Sequence, residues 1–202
     1  MNILIDNLEL PDQVEVNRKW YEIRTNYRIS ILFELMMQDD SLDARTKVRK
    51  ALDLYYPVIP DDVNGAVDAA LWFYKCGKEE TSRQRRMVSR SGKKGQVYSF
   101  EHDAGYIYAA FLSQYKIDLQ EVSDMHWWRF RYLFNSLSKD TEFVKIMEYR
   151  STEISDKMTN EQKDYYRKMK LLYALPLSKE EDSRQEAIEN ALLNGGDLTG
   201  II

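Results

Sequence analysis

Few residues in this 202-residue chain have side chains suited to catalysis or metal binding. The histidines are His102 and His126, and Cys76 is the single cysteine. His102 lies between Glu101 and Asp103, a setting that would suit a general base or a metal ligand. General-base catalysis needs a second positioned partner, however, and the sequence offers none for His102. The pattern favours a residue in the first turn of a helix, where acidic neighbours interact favourably with the helix dipole.

His126 precedes Trp127 and Trp128, which raises the alternative of a stacking site for a ligand. Neighbouring side chains on a helix point about 100° apart, so the two indole rings do not form one platform. We therefore interpret both tryptophans as core residues and His126 as a packed side chain with a hydrogen-bonded ring nitrogen. The lysine beside Cys76 is weak support for a reactive thiolate, so the sequence favours an inert thiol.

The sequence also lacks the motifs of common enzymes. Residues 91–95 contain glycine and lysine, but no strand precedes them and no helix with a metal-binding serine or threonine follows. Nucleophile-elbow, H-E-x-x-H and paired C-x-x-C patterns do not occur. One cysteine and two histidines nearly exclude a Cys/His zinc site. We predict a non-enzymatic protein without catalytic, cofactor-binding or metal-binding residues.

Composition restricts the class of protein further. Lys and Arg number 29 against 33 Asp and Glu, so the formal net charge of −4 gives no general attraction to nucleic acids or membranes. The single cysteine excludes an internal disulfide and favours a cytosolic compartment. Residues 1–10 lack the features of a signal peptide, and no run approaches the roughly 18 apolar residues of a membrane span.

Hydrophobic periodicity predicts the elements that must position these residues. Val14 and Val16 alternate with a polar residue, as do Tyr21 and Ile23 after a short turn, which predicts a β-hairpin. Apolar residues at three- and four-residue spacing predict helices near 27–38, 43–55, 62–76, 100–115, 120–138, 141–150, 160–174 and 179–193. Asn26 is the predicted cap of the first helix, and capping boxes are predicted to start the last two.

The predicted fold class is mainly α, with a small N-terminal β-hairpin followed by two helical halves joined by a basic linker. Residues 78–96 carry seven basic and two acidic side chains, two glycines and no aromatic residue, which is typical of a flexible linker. The predicted division is 1–77 for the hairpin and three helices, 78–97 for the linker, 98–177 for an aromatic-rich helical domain, and 178–202 for an acidic C-terminal helix and tail.

Candidate core and partner-binding residues follow from the helical faces. The structural core residues predicted in the aromatic-rich half are Phe111, Trp128 and Leu133. The last helix has an apolar stripe too small to dock firmly, so we predict that it is available to a partner or a second copy. Its candidate contact residues are Ile188, Ala191 and Leu192. Met36 and Met37 are further candidates, because methionine adapts to varied partners.

Three segments together resemble the signature of a phage protein family. They are Tyr98–Phe111 with its Phe-Glu-His-Asp, Tyr115–Leu119 ending in Ile-Asp-Leu, and Met125–Phe130 with its His-Trp-Trp. On these segments the chain resembles the bacteriophage gene-product-fifteen family, over about residues 14–177. The family usually has glycine in the hairpin turn and before Ile-Asp-Leu, where this chain has Asn17-Arg18 and Lys116.

The resemblance implies a role but no catalytic residues. Members are encoded in the tail gene clusters of siphophages and Gram-positive prophages, close to the tape-measure protein. The resemblance therefore implies a tail assembly chaperone in the cytoplasm of the bacterial host. Its expected partners are tape-measure helices, tail-tube subunits and a second copy of the chain. One alternative is a structural or adaptor component that remains in the virion, and another is a nucleic-acid-binding regulator that uses the basic residues of 78–94.

Overall fold

Two short strands and seven helices make up the part of the chain that the structure, a computed structural model, describes: residues 10–78 and 96–176. The strands are β1 (Gln13–Val16) and β2 (Lys19–Glu22). The helices are α1 (Tyr27–Gln38), α2 (Ala44–Tyr55), α3 (Val63–Tyr74), α4 (Ala104–Tyr115), α5 (Trp127–Asn135), α6 (Glu142–Ser151) and α7 (Asn160–Leu172). The prediction of a mainly helical protein with an N-terminal hairpin is confirmed.

The hairpin packs its apolar face against α3. The strands are antiparallel with Val14 opposite Tyr21, and Val14 and Val16 are both buried. Asn17 and Arg18 form the turn with φ values of 50° and 61°, so both central residues are left-handed, as a type I′ turn requires. The side chain of Asn17 also donates a hydrogen bond to Asp62, which ties the turn to the start of α3.

Polar side chains fix the ends of the first three helices. Asn26, Asp43 and Asp62 cap α1, α2 and α3 by accepting backbone N–H bonds of the first turn. Arg24 closes the other end of α2, where its guanidinium donates to the carbonyls of Asp53, Leu54 and Tyr56 at 2.7–3.0 Å. A cation at this position also interacts favourably with the negative end of the helix dipole.

Helices α1 and α5 begin side by side, although about a hundred residues separate them in the sequence. Asn26 and His126 form an isolated antiparallel bridge and have nearly the same backbone angles, with φ −61° and ψ 131° against φ −60° and ψ 136°. The N–H of Tyr27 donates to the carbonyl of Met125, and the N–H of Trp127 donates to that of Thr25. Each helix therefore satisfies a first-turn N–H of the other.

The predicted helix near 120–138 is wrong at its start, because α5 begins only at Trp127. Lys116 ends α4 in a left-handed conformation with φ 56°, at one of the positions where the related family usually has glycine. The side chain of Asp118 then accepts bonds from the N–H of Gln120 and the hydroxyl of Tyr108, which favours a turn over a helix. Helix α4 begins at Ala104, four residues after the start of the helix predicted near 100–115.

Residues from both sequence halves build one hydrophobic core. The predicted division places them in two helical domains, but Phe73 and Trp128 belong to the same buried cluster. The indole N–H groups of Trp127 and Trp128 donate to the last carbonyls of α3, those of Tyr74 and Phe73, both at 2.8 Å. The described parts of the two halves therefore share a core and do not each have their own. Residues 79–95 of the predicted linker and the predicted helix near 179–193 lie outside the described residues.

The three predicted core residues differ in depth. Phe111 and Trp128 are buried, whereas Leu133 is half-buried and packs against the cluster from its edge. Phe130 and Phe134 take the inner face of α5, and the first of them stacks on Tyr27 at 4.9 Å and on Phe111 at 5.0 Å. With this face filled by aromatic rings, Leu133 is left at the margin.

Replacing Trp128 should test the contribution of the shared core. We expect Trp128→Ala to lower the free energy of unfolding by about 3–5 kcal/mol, because the ring is 3% exposed and its N–H bond to α3 is lost. Trp20→Ala is the matched control, since that ring is 66% exposed and its loss should cost under about 1 kcal/mol. Equal chemical denaturation midpoints for the two variants would contradict this assignment.

Arg18→Gly should stabilise the hairpin. Glycine adopts the left-handed conformation of residue 18 without steric strain, so we expect a gain of about 0.5–1 kcal/mol after its larger chain entropy is subtracted. Lys19→Gly makes a similar change one residue later, inside β2, and should destabilise by about the same amount. Thermal unfolding of both variants tests the pair, and a lower melting temperature for Arg18→Gly would refute the turn geometry.

Candidate functional site

Two of the three side chains that first suggest chemistry, His126 and Cys76, have structural positions in this fold. His126 caps α5: its Nδ1 accepts the N–H of Trp128 at 3.1 Å, and its Nε2 lies 3.0 Å from the carbonyl of Pro11. The neutral ring with its proton on Nε2 satisfies both contacts. Cys76 is buried at the end of α3, and this burial raises the pKa of its thiol to about 11. His102 is exposed on the surface.

Asp103, next to His102 in the sequence, forms a buried ion pair. This carboxylate is 1% exposed and accepts two bonds from the guanidinium of Arg150, at 2.6 and 2.9 Å, and one from the N–H of Ser99. The same guanidinium donates to the carbonyls of Val97 and Tyr173. The pair thus joins the start of α4 to the end of α6 and to the chain after α7. Within residues 10–78 and 96–176, no group of three or more His, Cys, Asp and Glu side chains could hold a metal ion.

An apolar groove across α1, α2 and α3 is the best candidate for a binding site. It encloses a cavity of about 230 Å³. Its lining residues are Phe33 and Met37 of α1, Ala44, Lys47, Val48, Ala51 and Leu52 of α2, and Val67, Ala70 and Leu71 of α3. We call this surface the α1–α3 groove. Apart from one lysine its walls are apolar, and an open apolar groove between helices is a surface suited to a partner's apolar side chains.

The inner and outer parts of the α1–α3 groove differ in exposure. Phe33, Leu52 and Ala70 form its buried floor, whereas Met37 and Val48 are 46% and 38% exposed. The amphipathic faces of α1–α3 follow a periodicity that the sequence shows. That periodicity does not show which part of an apolar face neighbouring elements leave uncovered, so Val48 could not be singled out from the sequence.

The predicted partner-binding residues separate into three groups. Met37 lines the α1–α3 groove, and its neighbour Met36 is half-buried and packs against the core. The remaining candidates lie outside the described residues: Ile188, Ala191 and Leu192. The structure therefore brings one predicted contact residue into the groove and adds the apolar residues of α2 and α3.

A larger cleft of about 410 Å³ lies between α1 and α4, and the side chains of Tyr27, Arg28 and Tyr108 in its lining are already hydrogen-bonded. Arg28 donates to the carbonyls of Leu119 and Val122, and the hydroxyl of Tyr108 donates to Asp118. These bonds hold residues 116–126 against α1. We therefore interpret the cleft as the packing interface of residues 116–126, not as a ligand site.

The model of the family described as bacteriophage Gp15 protein matches residues 5–175. The chain belongs to this family. No curated protein and no solved structure matches it. The segments that carry the resemblance contain Asp103, Asp118 and His126, all of which hold helix ends or loops in place. Within the two described ranges, every helix of this Gp15 family member is too short or too polar to traverse a lipid bilayer.

The neutral His126 cap predicts a pH dependence of stability. Burial lowers the pKa of His126 below its ordinary value of 6.5, so the unfolded chain binds this proton more readily than the folded one. The stability that the neutral ring contributes is therefore complete above about pH 6.5 and is lost as the pH falls below that value. We expect the unfolding free energy of the parent to decrease between pH 7 and pH 5.5.

His126→Asn should flatten this dependence. Asparagine already caps α1 at position 26 with nearly the same backbone angles, so it should cap α5 without titrating. Urea denaturation of the parent, of His126→Asn and of the exposed control His102→Asn, at several pH values, measures the effect. A decrease that survives in His126→Asn but disappears in His102→Asn would contradict the role given to His126.

Proposed function

We propose that this Gp15 family member is a non-enzymatic tail assembly chaperone that acts in the cytoplasm of the bacterial host. In this proposal the α1–α3 groove binds amphipathic helices of the tape-measure protein and keeps them available for assembly of the tail tube. The observation that supports it most directly is the open apolar groove with exposed Met37 and Val48 at its rim.

The chemistry of the groove suits such a client. A tape measure is a very long helical chain, and apolar stripes on its helices would aggregate if nothing covered them before the tube does. Helix-in-groove recognition places apolar side chains at three- and four-residue spacing into one cavity and makes few demands on sequence. Met37 adds an unbranched, adaptable side chain at the rim, which helps one surface accept several different helices.

The size of the groove favours reversible binding. Full burial of one large apolar side chain contributes about 1.5–3 kcal/mol, so two or three anchors would contribute about 3–9 kcal/mol. Association itself costs a comparable amount in lost translational and rotational freedom. Weak, exchangeable binding is the expected result, and a chaperone must release its client when tube subunits arrive.

Two other roles would give different observations. A structural or adaptor component of the tail would remain in purified virions, where mass spectrometry would detect it, whereas a chaperone should be absent. A nucleic-acid-binding regulator would shift DNA or RNA in a gel, and the shift would weaken steeply with salt.

Two single substitutions, one inside the α1–α3 groove and one outside it, test the groove as the client site. Val48→Glu places a carboxylate on the apolar rim, and a helix bound there would strip this charge of water. We therefore expect co-purification with the co-expressed tape-measure protein to fall at least about tenfold, which corresponds to about 1.4 kcal/mol. Val58→Glu is the matched control, since Val58 is 71% exposed and does not line the groove.

The two variants should fold alike, because both replaced side chains are partly or largely exposed. Circular dichroism and melting temperature check this before binding is compared. Equal capture of the tape-measure protein by the parent, Val48→Glu and Val58→Glu would rule out the α1–α3 groove as the client site. Capture by none of the three would argue against the chaperone role itself.

A further inference from the structure

The α2 side of the α1–α3 groove carries positive charge. Helix α2 carries four basic side chains and one acidic one. Lys47 lines the groove, Arg45 is exposed next to Ala44 at its rim, and Arg49 and Lys50 are exposed further around α2. Lys47 donates to the carbonyl of Met37 at 2.8 Å and, like Lys50, interacts electrostatically with Asp39, but within the described residues none of the four basic side chains forms a close ion pair with a carboxylate. The surface around the groove therefore favours an apolar segment that also carries negative charge.

The chain itself contains a segment of this kind. Residues 178–193 carry five acidic and two basic side chains, and their sequence predicts a capped helix with an apolar stripe at Ile188, Ala191 and Leu192. We infer that residues 179–193 dock as a helix in the α1–α3 groove of the same chain, with the apolar stripe on the groove floor and the carboxylates beside α2. A tape-measure helix would then bind by displacing this segment.

The point where the described chain ends supports docking within one molecule. The carbonyl of Tyr173 accepts a bond from Arg150 at 2.6 Å, and the same guanidinium lies 3.1 Å from the carbonyl of Val97. The next residue towards the N-terminus, Gln96, donates to the side chain of Gln38 at 3.2 Å. Gln38 is the last residue of α1 and follows Met37, which lines the groove.

This series of contacts places Tyr173 roughly 25 Å or less from the end of α1, given the reach of two glutamine side chains and one arginine. The apolar stripe begins fifteen residues after Tyr173, at Ile188. That length of chain spans about 30 Å even if it is helical from Lys179 onward. The C-terminal segment can therefore reach the groove of its own chain without a second copy.

Disulfide formation tests the docking directly and needs no tape-measure protein. Val48→Cys combined with Leu192→Cys places one thiol at the groove and one on the stripe, and Cys76 can stay because its buried thiol has a raised pKa. Lys50→Cys combined with Leu192→Cys is the control, because residue 50 lies on the other side of α2. Under a mild oxidant, we expect the first pair to form an intramolecular disulfide at least about fivefold faster.

The products on a non-reducing gel show whether the groove is occupied by the C-terminal segment of the same chain or by that of a second copy. A fast-migrating monomer whose rate of formation does not depend on protein concentration supports docking within the chain. A covalent dimer that forms faster at higher concentration would overturn the inference in favour of a second copy. Equal rates for the two cysteine pairs would also overturn it, because the segment would then have no preference for the groove.

A second experiment tests the contribution of charge. Glu180→Gln with Glu181→Gln removes two carboxylates that share the face of the stripe, two turns or more before it in the predicted helix, and should slow the disulfide of the first pair by about two- to fivefold at low salt. Asp197→Asn, beyond the two glycines that follow the predicted helix, should leave the rate unchanged. An unchanged rate for the double variant would contradict recognition by charge.

The consequence for client binding rests on the proposed function. If the segment occupies the groove in most molecules, its deletion frees the site, so removing residues 179–202 should raise capture of the tape-measure protein by about 3- to 10-fold. Unchanged or weaker capture after deletion would contradict this competition. If the Val48→Cys/Leu192→Cys disulfide forms selectively but no variant captures the tape-measure protein, the chaperone role is refuted and the docking stands. If the tape-measure protein is captured but the disulfide does not form selectively, the docking is refuted and the chaperone role stands.

Discussion

The reciprocal start of α1 and α5 is the constraint on which the rest of the fold depends. Asn26 and His126 cap their own helices while the backbone N–H groups that follow bond to the opposite chain segment. First-turn N–H groups have no partner inside a helix, and leaving them unsatisfied in a buried site would be costly. The arrangement therefore requires residues 25–28 and 125–128 to lie together, so it brings the two halves of the sequence into one core.

Other polar contacts extend this junction. The indole N–H groups of Trp127 and Trp128 reach the last carbonyls of α3, and Asp103 with Arg150 connects α4, α6 and the chain after α7. Each of these bonds joins elements that are distant in sequence. In low dielectric surroundings such bonds specify one arrangement, because an alternative packing would leave a buried polar group without a partner. The segments that carry the family resemblance therefore serve chiefly to assemble the fold.

Local patterns predicted most elements, and long-range contacts explain what they did not predict. The hairpin, the Asn26 cap and the Thr159 capping box depend on neighbouring residues, and the structure has all three. The late start of α5 depends on the bridge between His126 and Asn26, and the shared core depends on packing between the two halves of the chain. The hydrophobic periodicity of the sequence carries no information about either of these long-range contacts. Met37 was a candidate because of its residue type, but its place in a groove results from how α1, α2 and α3 meet.

The same constraint accounts for the position of the α1–α3 groove. Near its start, α1 is covered on its inner face, where Tyr27 and Ser30 are buried. Met37 lies eleven residues along the helix, about 16 Å from the bridge to α5, and there the face is partly uncovered. The bonds that hold α1 to α5 lie outside the groove lining, so the proposed exchange of occupants in the groove would leave this junction intact.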